Sequence, residues 1–335
     1  MKYTIIMPSI GFKKLDDEGK PIALVRGDNA SMKEKKMVFV SVKDEPNGST
    51  VTLDERMVFK KMKGIKSAEK RRLFDIMQNS AKKGVDPDDL VIEDKKIQDI
   101  YADALFEAKH TVLAPEGCKF EVMPKVPDPT KGATRECIYV TGCAGSGKSW
   151  FTRTYAENYN RLHKGKRPIY LVSSLASDET LDNAKCKINR LSLDSLCDDP
   201  IDINNEEEIA NSLIIFDDWD TVEDEKGAGG RKYATVLWKL MNEILTMGRH
   251  MSITIIIISH YNTRGAKGRL ILTESNMFII YPHGTSQHAL DYLLGHHVGI
   301  KKDEIRALGD LGSRWVAVSK VFPKYLVSEY ICKLI

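Results

Sequence analysis

From about residue 133 onward, short continuous apolar runs alternate with stretches in which apolar positions recur every three or four residues. That is the pattern of a parallel α/β sheet. Glu136–Thr141 predicts a strand. A helix is expected from about Gly147 to Leu162, with Phe151, Tyr155 and Leu162 inward, ending near Gly165. Ile169–Ser173 and Ser212–Phe216 predict further strands. Tyr233, Val236, Leu237, Leu240, Met241, Ile244 and Leu245 share one face of a long helix that stops at Gly248. Ser252–Ser259 is almost wholly β-branched, as in a strand buried on both faces. Met277–Tyr281 predicts another strand. Trp315–Ser319 and Tyr325–Glu329 flank Phe322-Pro323-Lys324 as a hairpin would.

The pattern before this is mixed. Runs rich in β-formers at Lys2–Met7, Ile22–Val25, Met37–Val42 and Thr50–Phe59, with turn signals such as Pro46-Asn47-Gly48, predict short strands. Leu73, Ile76, Met77 and Ala81 lie on one helical face, with Gly84 as a C-cap. Ile97, Ile100, Tyr101, Ala104, Leu105 and Ala108 lie on another. Prolines 124, 127 and 129 fall in a short stretch and deny the backbone its donors there. The expected organisation is thus a mixed α/β N-terminal domain over 1–122, a Pro-rich linker over 123–132, and a larger domain over 133–335.

Composition narrows the class. The chain has 335 residues, 42% of them hydrophobic and 29% charged, as in a globular protein with room for about two domains. No apolar run approaches the ~18–20 residues of a membrane span. The first residues reach Pro8 too soon for a secretory h-region. The six cysteines form no C-x-x-C pair, which argues against a zinc ribbon or a disulfide framework. A net charge of +3 neither requires nor excludes nucleic acid.

The most specific chemistry lies between the first strand and first helix of the larger domain. Gly142-Cys143-Ala144-Gly145-Ser146-Gly147-Lys148-Ser149, followed by Trp150, satisfies the G-x-x-x-x-G-K-[ST] phosphate loop in full and in the required strand–helix context. Backbone N–H groups of such a loop wrap triphosphate oxygens, and the helix adds its positive dipole end. Lys148 is expected to reach the β- and γ-phosphates of ATP. The Ser149 hydroxyl is expected to ligate Mg²⁺, which prefers oxygen. Downstream, Leu213-Ile214-Ile215-Phe216-Asp217-Asp218 is an apolar strand ending in two acids. Asp217 would hold the metal shell, and Asp218 would polarise the attacking water. Asp220, further along, is a poorer candidate.

Three further features follow. Arg249, in Gly248-Arg249-His250, either reaches a neighbouring subunit's nucleotide or complements the helix dipole at its C-terminus. Arg231, after a Gly-rich stretch, is the second choice. His260, after Ser259 at the end of the β-branched strand, is a candidate γ-phosphate sensor. Arg264, Lys267 and Arg269 are candidate contacts to a DNA backbone, and Lys60, Lys61, Lys63, Lys66, Lys70, Arg71 and Arg72 form a second basic run. His283, His288, His296 and His297 lack the neighbours that would complete a metal site.

Phosphate loop, Asp-Asp strand, long helix, Gly-Arg-His, apolar strand and polar sensor occur in an order that resembles the genome-packaging ATPases of large double-stranded DNA viruses, the poxvirus type, within the FtsK/HerA superfamily. The stretch Gly248-Arg249-His250-Met251-Ser252-Ile253-Thr254-Ile255-Ile256-Ile257-Ile258-Ser259-His260 is its most specific part, with His260 where that family usually has Gln. The resemblance covers about residues 132–335. It implies a P-loop NTPase core of the additional-strand, catalytic-acid type, and a homo-oligomeric ring that hydrolyses ATP at subunit interfaces with Arg249 acting in trans. It implies sequence-independent translocation of double-stranded DNA into a preformed capsid, with capsid or portal components as partners. Host-cytoplasmic assembly sites or the virion are the expected location. A helicase or recombination ATPase of the same superfamily, and a nucleotide-switched scaffold without turnover, are the alternatives.

Overall fold

A computed structural model describes residues 8–12, 19–27, 36–41, 51–126, 135–203, 205, 209–224, 228–260 and 265–335. The strand expected at Lys2–Met7, the Pro46-Asn47-Gly48 turn, Arg264 and most of the Pro-rich stretch lie outside the described residues.

Strands β1 (Ser9–Gly11), β2 (Lys20–Arg26) and β3 (Met37–Ser41) are followed by helices α1 (Glu55–Lys61), α2 (Ser67–Lys82) and α3 (Lys95–His110), then by β4 (Thr111–Leu113) and β5 (Lys119–Val122). Next come β6 (Cys137–Thr141), α4 (Lys148–Leu162), β7 (Ile169–Ser173), α5 (Glu179–Asp182), β8 (Asn189–Leu191), α6 (Leu193–Asp198), β9 (Leu213–Asp217), α7 (Trp219–Asp224) and α8 (Ala228–Met247). Strand β10 (Thr254–Ser259), helix α9 (Gly265–Glu274) and strands β11 (Met277–Ile280), β12 (Val316–Ser319), β13 (Tyr325–Ser328) and β14 (Ile331–Leu334) complete the set used below.

One expectation is corrected. Part of the β-rich run Thr50–Phe59 forms helix α1. Asp54 caps it by accepting from the Arg56 and Met57 N–H groups at 2.8 and 3.1 Å. Glu55 in the first turn and Lys60 and Lys61 in the last complement the helix dipole. Val58 and Met62, one helical turn apart, are both buried while Lys60 between them is exposed, whereas a strand would put all three on one face.

Ten strands form one sheet in the order β4-β14-β13-β12-β11-β6-β10-β9-β7-β8. The strands from β11 to β8 are parallel, and β12, β13, β14 and β4 extend the sheet antiparallel. Strand β10 lies between β6, which leads into the phosphate loop, and β9, which ends in the acids. The central strands are buried throughout, and successive residues point to opposite faces. Ile214, Phe216, Ile255, Ile257 and Phe278 pack on the α8 face. Leu213, Ile215, Ile256, Ile258 and Ile279 pack on the face covered by α4. Both faces being dry is why these runs contain almost no polar residue.

Packing crosses the boundary expected at 123–132. The four-stranded sheet β1-β3-β2-β5 shares its core with α4, because Ile22, Val25, Val38 and Phe120 join the same cluster as Phe151 and Tyr155. Strand β4 pairs with β14 at the edge of the large sheet. The helices α1 to α3 enclose their own core around Val58, Met77 and Tyr101. At the start of β6, buried Glu136 accepts from the Lys125 N–H at 2.8 Å and from the Tyr155 hydroxyl of α4. Burial holds its carboxyl above the usual range. The chain entering β6 is thereby tied to the helix that leaves the phosphate loop.

Candidate active site

Parallel strands all end at one edge, and loops that carry chemistry gather there. Register makes this specific. Ser259 of β10 and Ile280 of β11 each stand opposite Thr141, so His260, Gly142 and Tyr281 follow at the same level. The loop at residues 142–147 bends sharply into α4. A Cβ on Gly142 would lie 2.8 Å from the Tyr281 ring, so no larger residue fits there. Gly147 adopts a φ of +106°, a conformation side chains disfavour, immediately before the first turn of α4. Cys143, Ala144, Gly145 and Ser146 lie in this loop, and Ser149 and Trp150 lie in that first turn.

Lys148 is buried. Its ammonium donates to the Gly142 and Cys143 carbonyls at 2.9 and 3.1 Å and contacts His260 Nδ1 at 3.3 Å. Burial lowers its pKa, against the opposing pull of Asp218 and Asp217. His260 Nε2 lies 2.8 Å from Asp218 Oδ1. An ammonium can only donate, so Nδ1 accepts and Nε2–H donates to Asp218. Lys148, His260 and Asp218 therefore form one hydrogen-bonded line across the strand ends.

Asp217, the last residue of β9, is only 5% exposed. Its carboxyl is pushed up to about 7 by burial first, then by the neighbouring Asp218 and Asp178. Asp218 has a φ of +50°, which turns the chain out of the strand so that the two acids face different ways. An acid this costly to ionise, beside a second acid, has the chemistry that a hard cation with oxygen ligands would stabilise.

Asp220 takes a part that sequence reasoning assigned to nothing. It is fully buried, and its Oδ2 accepts from Ser259 Oγ at 2.8 Å and from the His260 N–H at 3.1 Å. It fixes the end of β10 and hence the direction of His260. The available signal was an acid placed between apolar Trp219 and Val222, both buried in a helix.

Other candidates stand elsewhere. Arg249 is exposed in the turn between α8 and β10, at the sheet edge opposite the phosphate loop of its own chain. Arg231 is exposed in the first turn of α8. Lys267 lies 5.4 Å from the centre of the Trp238 ring, and Arg269 is exposed on α9. Among the described residues no group of three or more His, Cys, Asp and Glu side chains could hold a metal, and no helix is long and apolar enough to cross a membrane.

A phosphate loop on a central strand, with one additional strand between it and an acid-tipped neighbour, defines a P-loop NTPase fold of the additional-strand type. No family model matches the chain. The uncharacterized protein V3 of Sputnik virophage is 30% identical over 226 residues, covering 67% of this chain and 84% of V3. The chain belongs to the family of that virophage protein. Solved structures similar to it include the genome packaging NTPase B204 of Sulfolobus turreted icosahedral virus 2, at 9% identity over 58% of this chain and 97% of that one, with a TM-score of 0.36. The pCW3 conjugation coupling protein TcpA is 10% identical over 93% of this chain and 76% of that one, with a TM-score of 0.37. The cytoplasmic domain of the type VII secretion ATPase EccC of Thermomonospora curvata is 12% identical over 61% and 26%, with a TM-score of 0.40.

Proposed function

We propose that this chain is an ATPase that couples hydrolysis of Mg·ATP to sequence-independent movement of double-stranded DNA, packaging a viral genome into a capsid as a homo-oligomeric ring. The observation that carries the hydrolytic part is the line Lys148–His260–Asp218 at the mouth of the loop. The viral part is supported by membership of a virophage protein family and by the motif order of residues 132–335.

Loop N–H groups bind the phosphates, and Lys148 exchanges the Gly142 and Cys143 carbonyls for phosphate oxygens. Magnesium, held by Ser149 and Asp217, supplies positive charge to those oxygens. Asp218, oriented by the His260 N–H, accepts a proton from the water that attacks the terminal phosphorus. The bond to the bridging oxygen breaks, leaving ADP and phosphate. His260 touches both Lys148 and Asp218, so a change at the phosphates alters its hydrogen bonds at once, which is what a sensor requires. Arg249 is too far round the sheet to serve its own nucleotide and acts on that of an adjacent subunit. Lys267 and Arg269, with Arg264, contact the DNA backbone.

ATP hydrolysis measured with and without linear duplex DNA at low salt tests this. The expected result is turnover that duplex DNA stimulates and that Lys148→Ala abolishes. Turnover that ignores DNA removes the translocase and leaves an ATPase. Absence of turnover favours the nucleotide-switched scaffold.

A further inference from the structure

We propose that Arg135 is a positioning residue for Arg249: it clamps the turn that carries Arg249, so that this side chain meets the neighbouring subunit's nucleotide in one fixed geometry. This rests on reading Arg249 as acting in trans.

Arg249 sits in a short turn between the end of α8 at Met247 and the start of β10 at Thr254. Its side chain is exposed and rich in rotamers, so what the fold can fix is the backbone beneath it. Hydrogen bonds within the turn do part of this. The Gly248 N–H donates to the Ile244 carbonyl at 2.9 Å, His250 to Met247 at 3.2 Å, Ser252 to Arg249 at 3.1 Å and Ile253 to Gly248 at 3.0 Å. Ser252, with a φ of +53°, turns the chain into β10.

Both ends of the turn are held from one place. At the helix end, the Arg135 guanidinium donates to the Ile244 and Leu245 carbonyls, to the second at 2.7 Å. At the strand end, the Glu136 N–H donates to Thr254 Oγ1 at 3.3 Å, and the Glu136 carbonyl accepts from the Ile255 N–H at 2.9 Å. Residues 135 and 136 are adjacent, so the start of the chain's own loop strand fastens the turn on both sides. The strand β6 then separates Arg135 from the phosphate loop, which lies at its far end. Loss of the guanidinium therefore leaves the chain's own phosphate cradle in place.

Two further observations fit Arg135 to this task. The last turn of α8, Ile244-Leu245-Thr246-Met247, contains no basic residue of its own. A helix ends in carbonyls without intrahelical partners and in partial negative charge, and Arg135 supplies both the donors and the opposing charge. Gly248, buried immediately before Arg249, is shaped to the same group. A Cβ there would lie 2.6 Å from the Ile244 carbonyl oxygen and 3.0 Å from Arg135 Nη1. The glycine thus leaves room for the guanidinium against the helix end. A lysine at 135 would keep the charge but lose the planar fork that spans two successive carbonyls.

ATP hydrolysis by full-length variants, singly and mixed with Lys148→Ala subunits, tests this, with ATP affinity measured by calorimetry. Arg135→Ala is expected to lower kcat about ten- to a hundredfold while ATP affinity stays within about twofold. Arg135→Lys should fall between it and the wild type. Mixing Arg135→Ala with Lys148→Ala should give activity above the sum of the two, as for Arg249→Ala. The double variant Arg135→Ala/Arg249→Ala should stay within about twofold of Arg249→Ala, since the clamp then has nothing to position. Should Arg135→Ala fail to fold, Arg135→Lys takes its place in the mixture and in the double variant. Losses that multiply in the double variant, or a mixture that merely adds while the Arg249→Ala mixture is rescued, make Arg135 a helix cap only and overturn the proposal, leaving the reading of Arg249 intact. An Arg249→Ala mixture that shows no rescue overturns the trans reading, and this proposal with it.

Discussion

Asp217 ends a strand buried on both faces, and its carboxyl titrates near pH 7 because burial and two neighbouring acids oppose its charge. In the unfolded chain it titrates near 4. The nucleotide-free fold therefore holds a proton that the unfolded chain has released across that interval. Its contribution to stability is fully present below about pH 4 and falls as pH rises to 7, by on the order of a few kcal/mol. Asp217→Asn should raise the melting temperature of the nucleotide-free protein at pH 8 relative to wild type, with a much smaller difference at pH 5, while abolishing Mg²⁺-dependent hydrolysis. Melting curves at the two pH values check the first expectation; an unchanged gap between them would count against the buried-acid account. At the mouth of the loop, Asp218→Asn should cost ~10²–10⁴ in kcat, the range for loss of a general base. His260→Ala should cost less, about ten- to a hundredfold, because it orients rather than abstracts. Single-turnover rates separate these losses from changes in ATP affinity.

Elements follow local pattern wherever one face, or both, is buried by partners of the same kind. Strands β6, β7, β9, β10 and β11 and helices α4 and α8 were legible because a two-sided buried strand and a one-sided helix have different periods. Helix α1 shows the limit. Met57, Val58 and Phe59 read as a β-forming run, yet the Asp54 cap and the packing of Val58 and Met62 choose the helix. Asp54→Ala should lower stability by ~1 kcal/mol. Hydrogen exchange should place the loss in helices α1 to α3, which share a separate core, and leave the β6 and β10 amides unaffected. Strands β1, β4, β5, β8 and β14 escaped sequence reading: all are three or four residues long, and unlike the equally short β11, β12 and β13, which are almost wholly buried, they carry no unbroken apolar run.

On the scale of the whole molecule, the sheet decides which residues can serve one site. Its parallel strands bring the loop, Asp217, Asp218 and His260 to one edge and leave Arg249 at the other. Within one chain Arg249 has no nucleotide to act on. Mixing Arg249→Ala with Lys148→Ala subunits should therefore restore activity above the sum of the two separately, since a site with an intact loop can meet an intact arginine. Strictly additive rates on mixing would show that Arg249 serves no neighbour.

The identities of the loop residues, the acid pair and the strands that bear them follow from the sequence alone, because a phosphate cradle needs glycines and an adjacent lysine, and a strand buried on both faces needs an unbroken apolar run. Tertiary structure alone decided the rest. Asp220 and His260 are 40 positions apart and meet only because β10 lies against β9. Tyr281, Trp315 and Phe120 line one cavity only because three distant segments converge beside the loop. Contacts of that kind depend on sheet order and register, and no local spacing along a chain encodes them.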